Sequence, residues 1–122
     1  MPSRHLSLRL EDDTYERLAS QSRQTGQTRS HVAKTLLEEG LRMGAHPGIV
    51  FRPGPAGRRP ALAGGPDVWE VAQVFRRLDA RGEDLLRETA AFTGLSPELV
   101  RVAVRYYAAF RDEIDRWIDR VN

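Results

Sequence analysis

The chain begins with a regular alternation of apolar and polar residues. Within residues 4–10 every second position is a leucine, and polar side chains stand between: Leu6, Leu8 and Leu10, separated by His5, Ser7 and Arg9. A period of two predicts a β-strand with the leucines on one face and the polar residues on the other. Because no second strand follows nearby, the backbone of this strand needs a partner distant in the chain or in a second copy.

Helical spacing predicts two helices after the strand. The first is capped by Asp12 or Asp13 and stops at Gly26, and the second is capped by Thr28 or Ser30 and stops at Gly44. The expected buried faces are Tyr15, Leu18, Ala19 and Ser22 on the first helix and Val32, Ala33, Leu36, Leu37, Gly40 and Leu41 on the second.

Residues 44–66 are rich in glycine and proline. A flexible linker is one interpretation. Residues 49–51 and 61–63 are apolar runs on either side of the turn-forming segment 53–57, which favours a β-hairpin instead.

The pattern of residues 67–122 predicts helices. Asp67 caps one that ends near Gly82, a second covers residues 83–91, and Ser96 with Pro97 starts the last. Apolar residues then recur at alternating steps of three and four, a heptad pattern that predicts one long helix: Val100, Ala103, Tyr107, Phe110, Ile114, Trp117 and Val121. The predicted fold is α+β and mainly helical, with one domain over residues 1–45 and a second, with a β-hairpin and three helices, over residues 46–122.

Composition narrows the possible chemistry. The chain has 122 residues, no cysteine, three histidines and a formal net charge of +2. Disulfides and thiolate zinc sites are excluded, and no clustered metal ligands or cofactor motif are visible. No Ser-His-Asp, H-E-x-x-H or P-loop pattern is present, so we expect no enzyme. Without a signal peptide or an apolar run of about 20 residues, we expect a soluble cytoplasmic protein with no membrane partner.

The strand, helix, turn and helix of residues 4–44 resemble the ribbon-helix-helix family of DNA-binding proteins, the Arc, MetJ and CopG superfamily. The resemblance implies a dimer whose paired N-terminal strands enter the major groove of operator DNA. It implies that His5, Ser7 and Arg9 contact base edges, and that Thr28, Arg29 and Ser30 lie at a phosphate contact where the second helix starts.

Residues 47–118 carry a second likeness, in these segments: Ile49-Val50-Phe51, Gly57-Arg58-Arg59, Gly64-Gly65, Asp67-Val68-Trp69-Glu70-Val71, Leu95-Ser96-Pro97-Glu98-Leu99-Val100 and Ala103-Val104-Arg105-Tyr106-Tyr107 with Asp112-Glu113-Ile114-Asp115. They resemble the 433 family, a bacterial domain of unknown function that is often encoded beside toxins with a PIN-like ribonuclease fold. The resemblance implies a helix-turn-helix-like unit, with residues 83–91 as its first helix and the helix from Pro97 as its second. The family's usual Gly-Thr-Arg is Gly57-Arg58-Arg59 in this chain.

The two resemblances together imply an antitoxin of a type II toxin–antitoxin pair that represses its own operon and neutralises a ribonuclease toxin. The expected toxin-binding residues are arginines facing a carboxylate-rich nuclease site and apolar anchors, with Tyr106 as a further exposed anchor: Arg52, Arg58, Arg59, Trp69, Tyr107, Phe110, Ile114 and Trp117. The arginines could equally be solvated loop residues and the aromatic residues a core seam. The alternative function is a stand-alone repressor or plasmid copy-control protein whose C-terminal helices only oligomerise.

Overall fold

The computed structural model describes residues 2–121 and separates them into two compact units. The described part of the first unit is residues 2–40, and that of the second is residues 41–121. The chain is mainly helical and carries a two-stranded antiparallel sheet, which confirms the α+β class.

The first unit contains helix α1, Asp12–Thr25, preceded by a segment without regular secondary structure. A strand is defined by hydrogen bonds to a neighbour, and no stretch of residues 2–121 pairs with residues 4–10, so the N-terminal strand stays a prediction. Glu11, not an aspartate, occupies the position before α1 and forms no side-chain cap there. Gly26 ends the helix with φ 70°, as expected for a residue that must turn into the left-handed region.

Helix α2, Arg29–Ala45, starts where the sequence indicates. Thr28 Oγ1 accepts the backbone N–H of His31 at 3.0 Å, so Thr28 is the cap rather than Ser30. Ala19 and Val32 are the apolar side chains that are buried among residues 2–40. The broad apolar face expected on α2 is therefore largely uncovered in a single copy of the chain.

The second unit begins with the predicted hairpin. Strands β1, Ile49–Arg52, and β2, Arg59–Leu62, pair antiparallel with Ile49 opposite Leu62. Pro60 lies within β2, which a two-stranded ribbon tolerates because both strands are edge strands.

Helix α3, Val68–Phe75, is shorter than expected, because the sequence predicted its end near Gly82. The N–H groups of Arg77 and Leu78 bond to carbonyls three residues earlier, at 3.1 and 3.3 Å, which tightens and ends the last turn. Helix α4, Gly82–Thr93, follows and ends at Gly94 with φ 78°.

The prediction of a single long last helix is wrong. Helix α5, Pro97–Ala109, and helix α6, Arg111–Val121, are separated by Phe110 at φ −132° and ψ 44°. Both α5 and α6 contact α3, so the chain turns back and buries most of its own heptad seam. The core of this unit comprises Ile49, Leu62, Val68, Val71, Ala72, Phe75, Ala103, Tyr106, Ile114 and Ile118.

Candidate partner-binding groove

An open groove of 620 Å³ lies in the second unit, where three segments meet: the loop of the hairpin, the start of α3 and the end of α6. The side chains that determine its chemistry are Arg52, Arg59, Trp69, Glu70, Trp117 and Arg120. We call this site the tryptophan groove, because it holds both tryptophans of the chain.

Asp67, at the start of α3, organises the floor of the tryptophan groove. The residue is 6% exposed, and its carboxylate accepts hydrogen bonds from Arg59 Nε and, at 3.1 Å, from Trp69 Nε1. Arg52 Nη1 lies 4.0 Å from the other carboxylate oxygen. A buried carboxylate requires such compensation, since an unpaired charge away from water is strongly unfavourable.

The same two arginines also bond to backbone carbonyls of the surrounding loops. Arg52 donates to the carbonyls of Gly65, at 2.7 Å, and Leu62, at 3.0 Å, and Arg59 donates to that of Pro53 at 3.0 Å. These contacts fix the hairpin against the start of α3. Two of the three arginines predicted to face a toxin are therefore held internally, while the side chain of Arg58 is exposed.

Helix α6 contributes Trp117, Arg120 and Val121 to the groove. The guanidinium of Arg120 lies over the ring of Trp117, with its carbon 4.6 Å from the ring centroid, in a cation–π arrangement. Trp117 is half-buried and packs against the core, which fixes the ring in place. The groove thus brings Trp117 together with three predicted toxin-binding residues from much earlier in the sequence: Arg52, Arg59 and Trp69.

Three other predicted anchors do not line this groove. Ile114 is fully buried in the core. Tyr107 packs edge-on against Phe75 at 5.3 Å between centroids, and Phe110 lies beneath the guanidinium of Arg42 at 3.9 Å. These side chains are held by contacts within the unit, as the core-seam interpretation expects.

Tyr106, expected as an exposed anchor, is fully buried, which overturns that expectation. Arg42 Nη1 donates to Tyr106 Oη at 2.9 Å and to Glu113 Oε2 at 2.8 Å. His46 meets the Tyr106 ring edge-on at 5.2 Å. No pattern in the sequence predicts this cluster, because its members belong to different helices and a loop.

The surroundings of Tyr107 favour the neutral form of its phenol. Burial and, next, its hydrogen bond to Asp115 Oδ1, at 2.9 Å, raise the pKa of the phenol above its ordinary value of 10.0. Both causes favour the neutral hydroxyl, because burial disfavours a phenolate and the adjacent carboxylate repels one.

The predicted DNA-contacting residues lie in the first unit. His5 Nε2 and Ser7 Oγ are 2.8 Å apart, so these two side chains lie on the same side of the chain, and Arg9 is exposed. The hydroxyl of Thr28 is occupied as the cap of α2, whereas Arg29 and Ser30 are exposed at the start of that helix.

Comparison of the chain with protein-family models, curated proteins and solved structures gives no match. Among residues 2–121, no set of three or more His, Asp or Glu side chains is placed to hold a metal ion. Over the same residues, no helix has both the length and the apolar character to cross a bilayer.

Proposed function

We propose that this chain is the antitoxin of a type II toxin–antitoxin pair. Two copies bind operator DNA through their N-terminal ribbon and repress the operon. The second unit binds and neutralises a PIN-like ribonuclease toxin.

The observation that carries the proposal is the uncovered apolar surface of the first unit. Leu6 and Leu8 are 68% and 69% exposed, and Leu36, Leu37 and Leu10 are also exposed. Burying one such side chain fully stabilises a protein by about 1.5–3 kcal/mol. A ribbon-helix-helix dimer would cover these leucines, because the paired strands and the second helices of two copies pack against each other.

The polar face of the same segment supports the DNA-binding role. With a period of two, His5, Ser7 and Arg9 lie opposite the leucines that the dimer buries. Arg9 is suited to read guanine, since a guanidinium donates two parallel hydrogen bonds to the O6 and N7 atoms. Arg29 is the first residue of α2, and a guanidinium beside a helix N-terminus suits a phosphate contact.

The dimer is tested by Leu8→Pro in the full chain. Proline at residue 8 removes a leucine from the face that the dimer buries as well as a backbone N–H in the middle of the ribbon, so we expect loss of both the dimer and DNA binding. Analytical ultracentrifugation gives the mass, and fluorescence anisotropy with operator DNA gives the affinity. A Leu8→Pro protein that sediments as a dimer contradicts the ribbon.

The DNA contacts are tested by Arg9→Ala and Arg29→Ala. The first should weaken operator binding by about 1–3 kcal/mol and relax the preference at one base pair in each half-site. The second should weaken binding to all sequences and flatten the dependence of affinity on salt. Interchanged results would show that the two roles are assigned to the wrong residues.

Toxin neutralisation is tested by co-expressing the full chain with the neighbouring open reading frame and assaying RNA cleavage. We expect the two proteins to co-purify, and the Leu8→Pro chain to inhibit cleavage even though it no longer binds DNA. If the wild-type chain binds operator DNA but neither binds nor inhibits the neighbouring product, the stand-alone repressor is the better description.

A further inference from the structure

The polar groups of the tryptophan groove differ in whether they are already occupied. The Asp67 carboxylate is bonded to Arg59 and Trp69, and Glu70 Oε2 accepts the backbone N–H of Asp67 at 2.9 Å. Arg120, by contrast, is exposed and contacts the ring of Trp117, and it forms no ion pair within residues 2–121. A guanidinium is thus available on a groove whose carboxylates are engaged.

The apolar part of the groove includes two half-buried indoles, Trp69 from α3 and Trp117 from α6, and Pro55 of the hairpin loop. The Trp117 indole N–H donates no hydrogen bond to any residue that the structure describes, so it adds a second free donor. Indole rings provide large contact areas with few rotatable bonds, which is why tryptophan is enriched at binding hot spots.

The size of the groove limits what it can hold. A volume of 620 Å³ lies within the range of about 300–1,000 Å³ that is usual for sites of small ligands. It accommodates a few side chains of an extended segment and is too small for a packed helix.

We propose that the tryptophan groove binds a short, extended acidic segment of a partner protein. An apolar side chain of that segment lies between Trp69 and Trp117, and a carboxylate pairs with Arg120. This inference rests on the proposed function for the identity of the partner, the ribonuclease toxin, but the chemistry of the groove can be tested without it.

Charge favours an acidic peptide over single-stranded nucleic acid, the other ligand class that stacks on aromatic residues. A carboxylate needs one cation, which Arg120 supplies, whereas a nucleic acid strand is held by a groove that is positive along its length. Residues 41–122 contain 13 arginines and 11 acidic side chains. Asp67 and Glu70 interrupt the positive charge of the groove, so it lacks the continuous positive track that a nucleic acid strand requires.

The experiment is a phage-displayed selection of random peptides on the full-length protein. We expect the selected peptides to combine Asp or Glu with apolar residues. Synthetic versions should bind at least about tenfold more weakly to Arg120→Glu. The matched control is Arg116→Glu, which makes the same charge change one turn earlier on an exposed part of α6 outside the groove and should leave binding unchanged.

Two further measurements complete the test. Arg120→Lys keeps the charge and should retain part of the affinity that Arg120→Glu loses. Tryptophan fluorescence reports on the groove directly, since Trp69 and Trp117 are the two tryptophans of the chain. We expect the selected peptide to change the emission, and octauridine to leave it unchanged at the same concentration.

Selected peptides without acidic enrichment overturn the proposal, and so does equal binding to wild type and Arg120→Glu. Octauridine that binds more tightly than the peptides would identify the groove as a nucleic acid site instead. A self-derived sequence among the selected peptides, with association of the protein in ultracentrifugation, would make the occupant a second copy and also overturn it.

Failure here is distinguishable from failure of the proposed function. If the toxin co-purifies equally with wild type and Arg120→Glu, the proposed role of the groove is refuted and the antitoxin proposal stands. If acidic peptides require Arg120 but the protein captures no toxin, the antitoxin proposal is refuted and the peptide-binding role of the groove stands.

Discussion

Replacing Asp67 should separate the effect of its charge from that of its hydrogen bonds. Asp67→Asn keeps the shape and one side-chain acceptor but removes the negative charge beside Arg59 and Arg52. Asp67→Ala removes the acceptor altogether and leaves Trp69 Nε1 without its partner. Both substitutions act on the contact that fixes the hairpin to α3.

The expected magnitudes follow from burial. Removing one partner of a buried ion pair costs about 3–5 kcal/mol. The side chain of Arg59 is 29% exposed and regains some hydration, so we expect about 3 kcal/mol for Asp67→Ala. A hydrogen bond to a charged group contributes about 1.5–3 kcal/mol and a neutral one about 0.5–1.5, so the loss for Asp67→Asn should be about 1–2 kcal/mol.

The assay is urea unfolding followed by tryptophan fluorescence, which reports on the second unit alone because residues 1–40 contain no tryptophan. Asp119→Asn is the control, an exposed carboxylate on α6 whose loss should change the free energy of unfolding by less than about 0.5 kcal/mol. A double-mutant cycle with Arg59→Ala should give a coupling energy of about 1–3 kcal/mol. An Asp67→Asn protein as stable as the control, with no coupling to Arg59, would refute the assignment of Asp67 as the organising residue.

Three further results are expected. Thr89 is fully buried and its hydroxyl has no hydrogen-bond partner among residues 2–121, so Thr89→Val should raise the free energy of unfolding by about 1 kcal/mol. Thr93→Val should lower it in the same urea series, because Thr93 Oγ1 donates to the Thr89 carbonyl at 2.7 Å. Gly94→Ala should cost about 1–2 kcal/mol in thermal unfolding, because φ 78° places a Cβ in the left-handed region; a smaller loss than from an exposed Ala91→Gly change would contradict this. Since the pKa of Tyr107 is raised in the folded state, its protonated form adds stability that is complete below pH 10.0 and is lost as the pH rises through the folded pKa. Tyr107→Phe should therefore flatten the dependence of the free energy of unfolding on pH above pH 10.0, and a dependence as steep as that of wild type would contradict this.

Local signals in the sequence predicted the ends of several elements correctly. Ser96 Oγ accepts the Leu99 N–H at 3.2 Å with Pro97 in the first turn, and Gly26 and Gly94 end their helices in the left-handed conformation. These features depend on a few neighbouring residues, so the sequence contains the relevant information. The hairpin is of the same kind, since its apolar runs flank a short turn.

The break at Phe110 could not be predicted in this way. No glycine or proline marks it, and a heptad repeat is satisfied equally by one long helix or by two shorter ones that share a core. Contacts of α6 with α3 decide between them, and those contacts join segments distant in the sequence. The end of α3 was misplaced for a related reason, because the apolar Leu78 continued the helical pattern beyond the last turn.

The candidate groove was partly visible. The sequence singled out Trp69 and Trp117 as anchors, but their shared location depends on how α6 returns to α3. The pairing of Arg59 with Asp67 was not predicted, because the Gly/Pro-rich stretch of residues 46–66 contains no acidic residue and Asp67 lies just beyond it. No pattern in the sequence predicts a binding role for Arg120, since it lies off the apolar seam among alternating charges on α6.

The unequal cores of the two units have a consequence for the response to dilution. The second unit has its own buried core, whereas Ala19 and Val32 are the buried apolar residues of the first over residues 2–40. Under the proposed dimer, the unfolding midpoint of the first unit rises with protein concentration by mass action, while that of the second does not. As the protein concentration in a cell falls, operator occupancy would then fall steeply, roughly with the square of that concentration, while the second units stay folded. Transcription of the operon would therefore resume before the capacity to neutralise the toxin is exhausted.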